Sequence, residues 1–337
     1  MSDTTETHTD HDERDEYDDE AEPDVLGTSD TEAFTSDKRK ELRRRRRDAK
    51  RAYRQSRSGA SADDEIVFVY EPHVRFVPPI GPYLRDLWAR REFAMAMAKS
   101  KVKGARSNTA LGGLWALIDP LFMVALYYFL FTILRGGDRP SAFIPIIISG
   151  ILHFQVSAAA LNEGGNSVSS ASGLMLNSTF PRMLLPLSAI LGGVIKFLPS
   201  MPIIFGAAVL LDATIGVNLL WWFLLFPLQV VIGLGVALLV STAIVFFKDI
   251  KNILSYVSRL MFFTSPIIFP IEIISDTIVA FIKWTPFFGI FANYQYILGG
   301  QRPDFGYLSI SVGWAVGSVV LGGWLFLRYE REFATKL

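Results

Sequence analysis

Apolar positions crowd into six long runs between residues 111 and 327, and most of the polar positions fall where one run gives way to the next. About 20 apolar residues, rising 1.5 Å each as a helix, cross roughly 30 Å of hydrocarbon. The pattern therefore predicts transmembrane helices over 114–134, 143–161, 184–211, 219–247, 253–269 and 308–327. Each ends at breakers. The first closes on the turn-rich 135–140, the second on Asn162, Glu163 and two glycines, the fourth on Lys248 and Asp249, and the sixth on Arg328. The third carries Lys196, Pro199 and Pro202 inside it.

Two stretches break this pattern. Residues 270–298 are apolar and aromatic but contain Glu272, Asp276, Lys283 and Pro286. Two half-length apolar pieces fit a re-entrant or interfacial hairpin before the last helix better than the alternative of a seventh span, with the hairpin's non-helical backbone covered by protein or lining a cavity. Residues 82–103 open on Pro82, a residue suited to a first helical position. Leu84, Leu87, Trp88, Met95, Ala98 and Val102 then share one helical face, with charges interspersed. That is the signature of a helix lying in a membrane interface, anchored by Trp88. The expected fold is all-α: a polytopic membrane protein with six transmembrane helices, an N-terminal interfacial amphipathic helix over 79–110 and a transmembrane domain over 111–329. Residues 330–337 form a short C-terminal end.

Charge completes the layout. Residues 111–327 hold 17 charged side chains in 217 positions. Residues 1–37 carry 15 Asp and Glu against one Arg, and residues 38–57 carry 12 Lys and Arg against two acids. Neither block has the apolar content to offset chain entropy, so 1–78 is expected to be a disordered tail, acidic then basic. The basic run either attracts anionic lipid headgroups or remains a solvated tail that helps fix topology. With six spans the termini share one side. Ten Lys and Arg flank the spans there against four opposite, which places both termini in the cytoplasm. No folded reading domain adjoins the basic run, so nucleic acid is not an expected partner.

Chemistry is sparse. Cysteine is absent, which excludes disulfides and thiolate sites. The chain has no GxxxxGK[ST] phosphate loop, no HExxH and no GxSxG elbow. These absences favour a transport protein over a membrane enzyme. Ionisable groups within spans are expensive and start as functional candidates. Lys196 and Arg259 together would attract a phosphate or other anionic group. The competing roles are an interior carboxylate or carbonyl partner for Lys196 and snorkelling to the interface for Arg259. His153 reads as a packed or pore-facing residue. Tyr127, Tyr128, Phe131, Phe262 and Phe263 offer aromatic faces for sugar rings, or pack against lipid and neighbouring helices. Tyr127 and Tyr128, being adjacent, point about 100° apart.

Five segments carry a resemblance: LGGLWALIDP at 111–120, FPRMLLP at 180–186, FFKDI at 246–250, SPIIFP at 265–270 and RYEREFA at 328–334. In this order the chain resembles the permease subunits of ABC-2 type exporters, specifically the Wzm/TarG-like group that exports lipid-linked O-antigen, teichoic acid or galactan. It departs from the group at Thr285-Pro286, where Asn-Pro is common.

The resemblance implies a permease in the cytoplasmic membrane of a bacterium, moving a polyprenyl-pyrophosphate-linked polysaccharide. It implies no catalysis in this chain. The expected partners are a second copy, two ATP-binding cassette subunits that bind ATP and Mg2+, and the lipid-linked glycan. It implies a channel lined by aromatics of spans one and five, with Tyr127, Tyr128, Phe131, Phe262, Phe263, Lys196 and Arg259 as candidates. Arg182, Lys248 and Asp249 are the coupling candidates, and Phe269, Pro270 and Pro286 the gate candidates within 270–298. No metal or cofactor is expected. The competing readings are a drug, haem or lipid exporter of the same superfamily and a membrane-bound glycosyl or acyl transferase.

Overall fold

The computed structural model describes residues 44, 47–48, 79–104, 111–135, 143–177, 180–210 and 216–336. The 1–78 tail beyond Arg44, Arg47 and Asp48 lies outside the described residues, as does the side chain of Phe131. The chain divides into two compact units, 1–73 and 74–337. In the first, Arg44, Arg47 and Asp48 are helical and exposed.

The regular elements of the second unit are all helices among the described residues. In order they are α1 (Ile80–Ala89), α2 (Arg91–Gly104), α3 (Trp115–Arg135), α4 (Phe143–Ala159), α5 (Ser172–Asn177), α6 (Leu184–Phe197), α7 (Met201–Leu210), α8 (Trp222–Phe246), α9 (Ile250–Thr264), α10 (Asp276–Ile282), α11 (Phe288–Leu298), α12 (Phe305–Tyr329) and α13 (Phe333–Lys336).

Among the described residues, four helical runs are long and apolar enough to cross a membrane: Phe143–Gly164, Leu184–Leu210, Val217–Phe246 and Phe305–Lys336. They match the second, third, fourth and sixth predicted spans. The third bridges α6 and α7 through a 3-10 turn at Leu198–Ser200, so Pro199 and Pro202 tighten the run without ending it. The first predicted span is α3, 21 residues with Pro120 in its first turns. The fifth is helical only to Thr264. At 15 residues α9 extends about 22 Å, short of the hydrocarbon thickness.

The core is built on α8 and α12, which pack along their lengths. Small residues permit this. A Cβ on Gly235 would meet Ser318 Oγ at 2.2 Å, and one on Gly322 would meet Gly235 O at 2.6 Å. Lipid offers no hydrophobic drive for helix association, so close backbone approach of this kind supplies the packing energy. Phe122, Phe129, Phe223 and Phe263 are exposed and suit a lipid-facing or partner-facing surface.

The second span reaches its expected stop at the glycines, its apolar run ending at Gly164. The helix continues through a π-turn at Ala160–Gly164, where Asn162 Nδ2 donates to Ala158 O at 2.9 Å. Gly164 seats this turn on α8, since a Cβ there would lie 2.6 Å from Ala237 Cβ. The following residues are packed, with Ser167 and Val168 buried.

The predicted interfacial helix is two helices broken at Arg90, and it begins at Ile80, two residues before Pro82. Helix α2 packs on α6, burying Ala94 and Ala98 completely. Trp88 and Leu84 of α1 remain exposed.

Candidate functional site

An aromatic cavity of about 540 Å3 opens between α3, α4 and α9. Alternate turns of three apolar helices bring Tyr127, Phe154, Phe262 and Phe263 to its wall, joined by Asp119, Gln155 and Arg259. The rings touch: Tyr127 and Phe262 lie 5.7 Å apart by centroid, and Phe154 and Phe262 5.0 Å. Four channel candidates (Tyr127, Phe262, Phe263 and Arg259) therefore meet in one place. Tyr128 does not line this cavity, as the rotation between adjacent helical positions requires.

Lys196 lies elsewhere. It forms an ion pair with Glu163 across a second cavity of about 270 Å3, lined by Gln155, Ala158, Ala159, Asn162 and Gly193 as well. Gln155 belongs to both walls. Pairing with a carboxylate was one of the two roles open to Lys196. Sequence reasoning did not pick out Glu163 as that partner or Gln155 as the shared wall. The available signal was a polar side chain inside an apolar run, at Gln155 and again at Gln229.

Midway along α4, His153 is packed, completing one of the two roles left open for it. Trp222 Nε1–H donates to His153 Nε2 at 2.9 Å, so the ring proton sits on Nδ1, which donates to Ser149 O at 2.8 Å. Gln229 Nε2 donates to His153 O and to Ser157 Oγ at 2.8 and 2.9 Å, and Tyr294 donates its hydroxyl to Gln229 Oε1 at 3.0 Å. These residues are buried, so the network ties α4, α8 and α11 together where water cannot compensate a lost bond.

Two of the gate candidates, Phe269 and Pro270, belong to a segment held by Gln295 of α11. Its Nε2 donates to Pro266 O at 2.7 Å and Phe269 O at 2.8 Å, and its Oε1 accepts from the Ile271 N–H at 2.9 Å. The same segment rests on α4 at Gly150, where a Cβ would meet Ile267 O at 2.6 Å. Pro270 is buried, Phe269 is partly exposed, and Pro286 precedes α11 at half burial. Helix α11 is a core element, whereas α10 buries no residue.

The coupling candidates separate. Lys248 and Asp249 are exposed in the tight turn between α8 and α9. Arg182 is half-buried and engaged: its backbone N–H donates to Glu330 Oε1 at 2.7 Å, and its guanidinium donates to Glu330 O. Tyr83 of α1 donates its hydroxyl to the same Oε1 at 3.0 Å. Burial first, then the Glu330 carboxylate, pushes that hydroxyl well above a phenol's ordinary value, so it remains a donor.

No group of three or more His, Cys, Asp or Glu is placed to hold a metal among the described residues.

No family model matches the chain. Curated proteins do. An O-antigen export system permease protein RfbA of Klebsiella pneumoniae is 24% identical over 253 residues, which is 75% of this chain and 95% of that protein. One from Myxococcus xanthus is 24% identical over 267 residues, 75% of this chain and 98% of that protein. A second K. pneumoniae RfbA is 22% identical over 253 residues. Across three quarters of its length the chain is thus similar to O-antigen export permeases taken nearly whole, the Wzm-like group that its five motifs resemble.

Proposed function

We propose that this chain is the membrane subunit of an ATP-driven polysaccharide exporter, moving a polyprenyl-pyrophosphate-linked glycan out of the cytoplasm. The observation that carries the reading is the match to RfbA permeases over 95% and 98% of their lengths. The aromatic cavity supports it, since ring faces stack on sugars without fixing one residue of the glycan in place. The channel is completed by a second copy of the chain against the exposed faces of α3 and α9. Energy comes from two ATP-binding cassette subunits docking at the cytoplasmic ends of the spans, where Lys248 and Asp249 are displayed. The 270–298 segment gates the outer end, and both termini are cytoplasmic.

Depletion of the chain in its host tests the reading. Lipid-linked glycan should build up inside the cell and disappear from the surface. Unchanged glycan distribution would sink the polysaccharide assignment and favour a drug, haem or lipid cargo.

A further inference from the structure

The ion pair between Glu163 and Lys196 sits at a particular depth. Glu163 lies 20 residues beyond Phe143, the first residue of α4, and at 1.5 Å per residue that is about 30 Å, one hydrocarbon thickness. Measured from Phe143 the pair stands a full span away, whereas the sequence places Lys196 12 residues into its own run. The pair is not sealed. The Lys196 and Glu163 side chains are 30% and 45% exposed, opening onto the 270 Å3 cavity. At about 30 Å3 per water molecule, the cavity has room for a phosphate group.

A third charge stands nearby. The end of α2 packs on α6, with Val102, the residue after Lys101, against Gly192. Partial burial lowers the Lys101 pKa, and the Glu163 carboxylate acts on it in the opposite sense, so carboxylate and ammonium are within electrostatic reach. Lys101 makes no ion pair among the described residues. One ammonium thus pairs with the carboxylate while a second stands within its electrostatic reach. The surplus is positive, in a cavity with the further polar walls of Gln155 and Asn162.

We infer that Lys196 and Lys101 form a binding site for a lipid-borne phosphate group, with Glu163 as the resident counter-ion that the phosphate displaces. The carboxylate occupies the anion position when the site is empty. An arriving phosphate takes both lysines, and Glu163 turns into the open cavity. Under the proposed function the phosphate is the diphosphate of the glycan carrier, and for that source alone the inference rests on that reading. A bilayer phospholipid presents the same chemistry.

The test uses the full-length purified chain in detergent, titrated with inorganic pyrophosphate and followed by thermal stabilisation. The wild type should be stabilised, and Lys196→Gln should abolish the effect. Glu163→Gln should tighten binding by about tenfold, because removing the competitor frees a charge-assisted contact. Lys101→Gln should weaken binding without abolishing it, and it guards against misfolding of the span variants because Lys101 lies on α2, outside the long apolar runs. Nanodiscs with and without phosphatidylglycerol, challenged with a polyprenyl diphosphate, assign the source. Competition by the diphosphate identifies the carrier, and insensitivity to it identifies a phospholipid. Pyrophosphate binding that is equal in wild type, Lys196→Gln and Glu163→Gln overturns the inference and leaves the export reading untouched. Failure of the depletion experiment with binding intact overturns only the carrier as source.

Discussion

Arg182 and Glu330 hold each other twice. The Arg182 backbone N–H donates to Glu330 Oε1 at 2.7 Å, and its guanidinium donates to the Glu330 carbonyl. Tyr83 shares the same carboxylate oxygen and accepts a weak bond from the Met183 N–H at 3.4 Å. One side chain past the end of α12 therefore anchors both the N-terminal helix and the turn that begins α6. Glu330→Ala orphans a half-buried N–H and a phenol at once, a cost of about 1–3 kcal/mol. The melting temperature in detergent should fall by several degrees. Tyr83→Phe removes one donor and should cost about 1 kcal/mol or less. Equal melting of wild type and Glu330→Ala would show that the clasp contributes nothing.

The α8–α12 contact makes a second prediction. Gly322 faces Gly235 O and the Leu238 side chain, with no space for a branched residue. Gly322→Val must push the two helices apart along the most extensive contact of the fold. Overpacking of this kind costs about 1–3 kcal/mol, and more where backbone blocks the added atoms. Gly317 has nothing within 4 Å of a Cβ. Gly317→Ala should therefore leave folded yield unchanged in size-exclusion profiles while Gly322→Val lowers it.

The His153 network makes a third. Gln229→Leu keeps the apolar bulk but strands the Tyr294 hydroxyl and the Ser157 hydroxyl oxygen in a buried site. A destabilisation of about 1–3 kcal/mol is expected, read as a drop in melting temperature. Gln229→Glu should be worse, since it brings a charge to mid-membrane depth. If Gln229→Leu melts with the wild type, the network is dispensable.

Much of this architecture was legible because lipid imposes a strict length and polarity on a crossing helix. The runs at 143–161, 184–211, 219–247 and 308–327 each contain or overlap a long apolar helix at nearly the expected place. What was hidden lay in tertiary pairing. Glu163 and Lys196 are 33 residues apart, and Arg182 and Glu330 are 148 apart, so no local pattern joins them. Asn162 and the two glycines after Glu163 are ordinary stop signals. Here the run does end at Gly164, after a π-turn in which Asn162 satisfies its side chain on the preceding turn and Gly164 lets α8 approach. The aromatic cavity was half legible. Helical rotation separates Tyr127 from Tyr128, but choosing Tyr127 required knowing where α9 lies.

The α8–α9 turn supplies a fourth prediction. Phe247, Lys248 and Asp249 are all exposed in it, and an exposed phenylalanine beside two charges suits a protein contact. Asp249→Lys should leave melting unchanged while lowering export and co-purification with a cassette ATPase together. Retention of both would remove this turn from the coupling surface.

The aromatic cavity supplies the last. Phe262 touches Tyr127, Phe154 and Phe263, so it is the ring through which the wall is joined. Each aromatic contact of this kind contributes about 0.5–1.5 kcal/mol beyond its area, which is roughly two- to tenfold in rate if the glycan stacks there during passage. Phe262→Ala should lower surface glycan by that order. Phe262→Leu separates two causes, because it keeps apolar bulk and loses the flat face. Export falling in both variants points to stacking, and export recovering in the leucine variant points to wall packing alone. Phe129 provides the comparison: it is 64% exposed and lines neither cavity described above, so Phe129→Leu should export like the wild type. Loss of export in Phe129→Leu equal to that in Phe262→Ala would mean that the glycan's path runs along the outer face of α3 instead.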